Sequence, residues 1–153
     1  MGENLAIYLK GDEKMKDAQN LHLKIQELCD CFSTTDPLKE MSEIKTDADR
    51  MEAALKWLAL SALHGVNNNA KKITVKKTND GNVSVTAEYR DTELPSPGPE
   101  VADHIFEAAR KMTYLEEQKG KSEFALGLRD SSLDLTIFVK DKDDYKQVSI
   151  KFP

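Results

Sequence analysis

Apolar residues recur every three or four positions in two stretches of the chain, which is the spacing of one helix face. The first stretch follows Asp12 and predicts a helix of about five turns. Its apolar residues are Ala18, Leu21, Ile25, Leu28 and Phe32. The second stretch follows Pro99 and has its apolar residues at Val101, Ile105, Ala108, Met112 and Leu115. The other side of both predicted helices is charged, so each helix has one face to bury.

A third long helix is predicted between these two, and it is apolar on nearly every side. Thr46 followed by Asp49 resembles a capping box and marks the start of this helix. Within residues 53–63 only Lys56 and Ser61 are polar. Such a helix must be covered on more than one side, so we expect it to lie between the first helix and a sheet, or at a subunit contact.

Three shorter segments complete the pattern outside the long helices and main strands. Residues 37–44 predict a short helical connector, because Asp36 can cap it and Pro37 suits the first helical position. Residues 91–99 contain three prolines and one glycine, which predicts an extended linker leading into the next helix. In residues 5–9, Leu5, Ile7 and Leu9 alternate with Ala6 and Tyr8, which favours a short strand over the lead-in to a helix.

The alternation after the central helix predicts a β-hairpin whose register can be derived. Ile73 and Val75 must share one face with the apolar residues of the following strand. A two-residue turn would put the two apolar faces out of phase. A three-residue loop at residues 79–81 instead pairs Val75 with Val85 and places a glycine where positive φ is needed. We therefore predict the three-residue loop, with Ile73 opposite Ala87.

Alternation near the C-terminus predicts three further strands in a meander. Four-residue loops at residues 129–132 and 142–145 keep the apolar faces in phase, because an even loop length preserves the alternation. The apolar residues of these strands are Phe124, Leu126, Leu128, Leu133, Leu135, Ile137, Val139, Val148, Ile150 and Phe152. The elements then follow the order (β)ααββαβββ. This order predicts an α+β fold of two layers, with an antiparallel or mixed sheet of five to six strands and three main helices on one face.

Composition fits a single domain spanning residues 1–153. The chain is 39% hydrophobic and 32% charged, which is too globular for intrinsic disorder. Its 22 Lys and Arg residues against 27 Asp and Glu residues give a net charge of −5, and this acidic balance makes nucleic-acid binding unlikely. No apolar run approaches the ~20 residues of a membrane span, and no secretory signal is recognisable. We therefore expect a cytoplasmic protein with no membrane association.

Candidate chemistry is sparse along the chain. His22 and Cys29 are seven residues apart on one side of the first helix and could form a metal or redox site, although a metal would need a further ligand. Cys29 and Cys31 are too few for a disulfide framework, and ordinary helix packing accounts for both. No phosphate-binding loop, nucleophile motif or metalloprotease motif is present. We predict no catalytic residue, no metal site and no cofactor, and an enzyme is the less favoured class.

Two surface features could serve binding. The first hairpin is locally basic, although lysines also protect exposed strand edges against aggregation. The basic residues are Lys71, Lys72, Lys76, Lys77 and Arg90. The second feature is Phe138, a large apolar residue on the otherwise polar side of the meander. The predicted register places it opposite Ser149 and beside Ala125 and Gly127, in a shallow apolar patch.

These features favour a small non-enzymatic binding or adaptor protein, predicted to be a homodimer or to bind a protein partner. The candidate interface residues are Trp57, Leu60 and Phe138. The alternative is a small-molecule-binding protein or enzyme whose site lies at the 91–99 loop, because stiff loops often frame sites. The candidate ligand-binding residues there are Arg90, Asp91 and Glu93. A metal or redox site at His22 and Cys29 is the second alternative.

Overall fold

A computed structural model describes residues 19–88, 92–113, 119–128 and 131–153. Within these ranges the chain has an α+β fold in which four helices lie on a six-stranded antiparallel sheet. This confirms the predicted fold class of two layers. The strand predicted at residues 5–9 lies outside the described residues.

The helices follow their capping signals. The described part of α1 covers residues 19–32, and α2 (Pro37–Glu43) leads into a 3₁₀ turn at Ile44–Thr46. α3 is Arg50–Asn67 and α4 is Pro99–Thr113. Asp36 caps α2 as predicted, because its side chain accepts from the backbone N–H of Leu38.

The predicted start of α3 at Thr46 is wrong. Asp49 is the N-cap residue, and its side chain accepts a hydrogen bond from the backbone N–H of Glu52 at 3.1 Å. Thr46 lies in the preceding 3₁₀ turn, where its hydroxyl donates to the carbonyl of Glu43. The physical reason is that both residue types can cap a helix, and Asp49 stands where the chain is still extended.

The sheet contains six strands in the described part of the chain. They are β1 (Lys72–Thr78), β2 (Val83–Ala87), β3 (Thr92–Leu94), β4 (Lys119–Leu128), β5 (Ser131–Asp141) and β6 (Tyr145–Lys151). Their order across the sheet is β3-β2-β1-β6-β5-β4. β2, β1, β6 and β5 are therefore interior strands, whereas β3 and β4 are the outer ones.

The register of the first hairpin confirms the prediction. Val75 pairs with Val85 and Ile73 pairs with Ala87. Gly81 has a φ of 90°, the left-handed conformation that the three-residue loop requires. Of the two- and three-residue loops compared, only the three-residue loop keeps the apolar residues of both strands on one face.

The meander differs from the prediction at one of its two turns. The second turn has the predicted register, with Asp141 paired to Lys146. At the first turn, however, β4 and β5 continue until Leu128 pairs with Ser131, so only two residues connect them. A loop of two residues preserves the alternation as well as a loop of four does, so the apolar faces are unchanged and only the pairing shifts.

The prolines of residues 91–99 had suggested a linker along the whole segment, but part of the segment is a strand. Thr92–Leu94 forms the short outer strand β3, in which Leu94 pairs with Val85. The first proline of the segment, Pro95, comes immediately after this strand. A strand this short limits the unpaired edge that it presents to other chains.

The core lies between the helices and one face of the sheet, and α3 is at its centre. α3 contacts α2, α4 and β1, and the thiol of Cys29 on α1 donates to the carbonyl of Ala59 at 3.8 Å. The side chains of Trp57 and Leu60 are both 0% exposed. The nearly all-round apolar helix predicted from the sequence is thus covered within one chain.

The outer edge of β4 is covered by two side chains from α1. Gln26 Nε2 donates to the carbonyl of Gly127 at 2.7 Å, and the N–H of Gly127 donates to Gln26 Oε1 at 2.7 Å. One turn earlier, His22 Nε2 donates to the carbonyl of Ala125 at 2.6 Å. These side chains occupy backbone groups that an added strand would otherwise use.

Candidate binding surface

The structure places His22 and Cys29 in different environments. His22 contacts the edge of β4, with its ring 4.3 Å from that of Phe124. Cys29 is buried against α3. Within the described ranges, no three or more His, Cys, Asp or Glu side chains are grouped so that they could hold a metal ion. The described residues therefore bring no further ligand to this pair.

Burial determines the chemistry of Cys29. Removal from water raises the pKa of its thiol to about 12, and the nearby Asp30 carboxylate acts in the same direction. The thiolate is the form that attacks disulfides and electrophiles, so a thiol held protonated reacts poorly. Cys31, two residues further along, is exposed. A redox role for Cys29 is therefore not supported by its surroundings.

We predict that only one of the two cysteines of the folded protein reacts quickly with Ellman's reagent at pH 8. Cys31 should react within minutes, whereas Cys29 should react only after denaturation. The Cys31→Ser variant should then show no fast thiol and the Cys29→Ser variant should retain one. Fast labelling of folded Cys31→Ser protein would contradict the burial of Cys29.

The residues proposed for a site at the 91–99 loop are only partly described. Arg90 and Asp91 lie outside the described residues. Glu93 is exposed on β3 and pairs with Thr86 across the strands. The small-molecule alternative at this loop therefore stays a prediction.

The sheet has one face without helices in the described part of the chain, here called the open face. Its side chains alternate with the buried ones, so β1 presents Lys72, Thr74 and Lys76 there. Lys77 lies on the opposite face and forms an ion pair with Asp103 of α4 at 2.8 Å. The basic hairpin of the sequence is thus divided between the two faces of the sheet.

Strand order removes one explanation for these lysines. β1 lies between β2 and β6, so it has no exposed edge for its lysines to protect. On the open face, the interior strands together carry four lysines and one acidic residue, Asp134. The lysines are Lys72, Lys76, Lys140 and Lys151. A protein with a net charge of −5 therefore has a basic centre on this face.

Phe138 lies within this basic centre and is half-buried. It pairs with Ser149 of β6, as predicted, but its partner on β4 is Lys121. Lys140 is two residues further along β5 on the same face, and both lysines are exposed. Phe138, Lys121, Lys140 and Ser149 are called the Phe138 patch below.

The predicted neighbours Ala125 and Gly127 are wrong. Ala125 pairs with Asp134 and Gly127 pairs with Ser132, both further along the sheet from Phe138. A four-residue loop would place Glu123 opposite Phe138, and the shorter β4–β5 turn shifts β4 by two residues relative to that register. The shift puts the cation of Lys121 opposite Phe138 and moves Ala125 and Gly127 further away, which changes the character of the patch.

Hydrogen bonds make the floor of the patch rigid. The hydroxyls of Thr74 and Ser149 share a hydrogen bond of 2.9 Å, and Gln147 Nε2 donates to Ser149 Oγ at 3.4 Å. Ser149 is only 2% exposed even though it lies on the open face. Nearby, Lys76 Nζ lies 4.4 Å from the centre of the Tyr145 ring. Ser149, the buried polar member of the patch, is therefore held in place before any partner arrives.

Comparison with known proteins assigns no function to these residues. No protein-family model matches the chain, and no curated protein matches it. Among the described helices, none is both long and apolar enough to cross a membrane.

The sequence had indicated Phe138 and Lys76, but it could not bring Lys121 beside Phe138, because that contact depends on the β4–β5 pairing.

Proposed function

We propose that the chain is a non-enzymatic binding protein that takes an acidic segment of a protein partner on the open face of its sheet. The observation that carries this proposal is the position of Phe138. It lies on an interior strand, opposite Lys121 and two residues from Lys140. An aromatic ring with one exposed lysine opposite it and a second two residues along its own strand suits a partner that combines an apolar side chain with carboxylates.

The ring and the charges would contribute differently to the binding free energy of such a complex. Burial of the exposed part of Phe138 would supply a central apolar contact, which is the usual source of affinity in protein interfaces. The exposed lysines would chiefly raise the association rate and select against basic partners. Binding should therefore weaken as salt concentration rises, because exposed charges are screened.

The homodimer predicted from the sequence stays a prediction. Fewer of its candidate interface residues now lie at the surface. Trp57 and Leu60 are buried within the chain and are not available at a surface. A symmetric dimer with its two-fold axis at the Phe138 patch would bring Lys121 and Lys140 of both copies together, where like charges repel. Sedimentation at several protein concentrations tests self-association separately from partner binding.

The proposal is tested with a fluorescein-labelled twelve-residue peptide that alternates glutamate with leucine, followed by fluorescence anisotropy. We expect Lys121→Glu/Lys140→Glu to weaken binding about tenfold or more, since it reverses both charges of the patch. The control is Lys24→Glu/Lys39→Glu, which makes the same change in net charge at two exposed residues of α1 and α2. The control should bind within about twofold of the wild type.

Two results would overturn the proposal. One is equal weakening by the patch variant and its control, or no binding of the peptide up to about 1 mM. The other is tighter binding of a twelve-residue single-stranded oligothymidylate than of the peptide, which would assign the surface to nucleic acid. Phe138→Ala, with the lysines intact, should also lose most of the affinity for the peptide if the ring is the central contact.

A further inference from the structure

A second candidate site lies at one end of the sheet, where α3 ends and β6 leads to the C-terminal residues. It is a cleft of 360 Å³ whose walls are mainly apolar. The apolar contributions come from Val66, Leu133 and Phe152, and the cations at its rim are Lys71 and Lys151. No part of the Phe138 patch lines it.

The cleft is shaped by close packing between Phe152 and Gly65. A Cβ atom at position 65 would lie 2.0 Å from Phe152 Cζ, so the ring lies directly against the helix backbone. The chain then turns sharply at Asn69, which has a φ of 53°, and the N–H of Ala70 donates to the carbonyl of Gly65 at 2.9 Å. These contacts give the cleft a fixed apolar wall.

The two lysines lie on neighbouring strands of the same end. The N–H of Phe152 donates to the carbonyl of Lys71 at 3.0 Å, and Lys151 pairs with Lys72 one position away. Both Lys71 and Lys151 are exposed at the cleft. Side chains alternate along both strands, so Lys71 shares the face of Phe152 whereas Lys151 shares the open face with Lys72. The ammonium group of Lys71 is therefore the one available beside the apolar wall.

We propose that this cleft binds a small organic anion with an apolar body, such as a medium-chain carboxylate. The volume is within the range of small-molecule sites, roughly 300–1,000 Å³, and the walls are of the apolar kind that such sites use. Lys71 would orient the carboxylate by a charge-assisted hydrogen bond. This proposal does not depend on the function proposed for the open face.

Octanoate is the probe, and octan-1-ol is its uncharged counterpart. Titration of the full chain, followed by chemical-shift changes of backbone amides, should place octanoate at Val66, Lys71 and Phe152. A dissociation constant on the order of 1 mM is expected for a ligand of this size. Octanol should bind at the same place but more weakly, because it has no charge for Lys71.

Variants separate the two parts of the site. Lys71→Gln should weaken octanoate about fivefold and leave octanol unchanged. Lys72→Gln is the matched control, because its side chain is on the open face and forms an ion pair with Glu88 at 3.6 Å. Leu133→Ser should weaken both ligands. A thermal melt of each variant confirms that it is folded.

The outcomes are distinct from those for the open face. The proposal would be overturned if octanoate shifted the amides of Lys121, Phe138 and Lys140 instead of those of the cleft. It would also be overturned if octanoate did not bind at 10 mM, which is about tenfold above the expected dissociation constant. Equal effects of Lys71→Gln on octanoate and octanol would overturn the anion part. Failure of the acidic peptide to bind would leave these results unchanged, since the peptide and the carboxylate occupy different residues.

Discussion

Replacing Trp57 by alanine is expected to lower the free energy of unfolding by about 3–5 kcal/mol. The side chain is 0% exposed in the centre of α3, so its removal leaves a cavity as well as lost apolar burial. Urea unfolding should be followed by far-UV circular dichroism, because Trp57 is the only tryptophan of the chain. The measurement compares midpoints at equal slope.

Trp57→Phe is the matched control. It retains most of the buried ring and removes the indole N–H, which has no hydrogen-bond partner among the residues that the structure describes. We expect it to cost less than half of the alanine effect, because deleting an unsatisfied buried donor offsets part of the lost packing. A loss below about 1 kcal/mol for Trp57→Ala would contradict the burial of this ring.

The same experiment bears on the subunit contact predicted from the sequence. If the chain folds without the help of a second copy, the unfolding midpoints of the wild type and of both variants should not change with protein concentration. A midpoint that rises with concentration would indicate that association stabilises the fold. That result would support the predicted homodimer.

Replacing Gly65 by alanine should lower the free energy of unfolding by about 1–3 kcal/mol, against the usual trend for helices. Exchange of glycine for alanine inside a helix normally stabilises it by up to about 1 kcal/mol. Here the added Cβ would lie 2.0 Å from Phe152 Cζ, so the ring must move out of its packed position. Urea unfolding of the single variant gives the sign directly.

A double-mutant cycle with Phe152→Leu identifies the cause. Leucine lacks the far end of the ring, so Gly65→Ala should cost much less in that background or become favourable. The coupling free energy between the two positions should exceed about 1 kcal/mol. Additive effects of the two substitutions would show that the cost at position 65 has a source other than Phe152.

The local sequence pattern was enough to predict most of the elements and two of the turns. Side chains alternate along a strand with a period of two, so the apolar residues of β1 and β2 admit only one short loop that keeps them on one face. Val75 therefore pairs with Val85 as predicted. The helices α1 and α4 were equally clear, because their apolar residues follow the helical period. The central helix α3 was indicated instead by its long apolar run, in which only Lys56 and Ser61 are polar.

The alternation of apolar and polar residues alone could not decide the length of the β4–β5 turn. Loops of two and of four residues both preserve the alternation, so the sequence permitted either pairing. The longer strands of the structure pair Leu126 with Leu133 and bring Lys121 opposite Phe138. The sequence therefore identified only part of the candidate surface: Phe138 was identified, and its cationic neighbour on β4 was not.

By itself, the sequence determined the α+β class, the three main helices and the apolar face of each predicted strand, because these follow from periodicities over a few residues. Only the tertiary structure decided that β6 returns beside β1, pairing Thr74 with Ser149 across 75 residues of chain. It also decided that α3 is covered within its own chain. Both outcomes depend on packing between distant segments, and an apolar helix face is the same in sequence whether its own chain or a second one covers it.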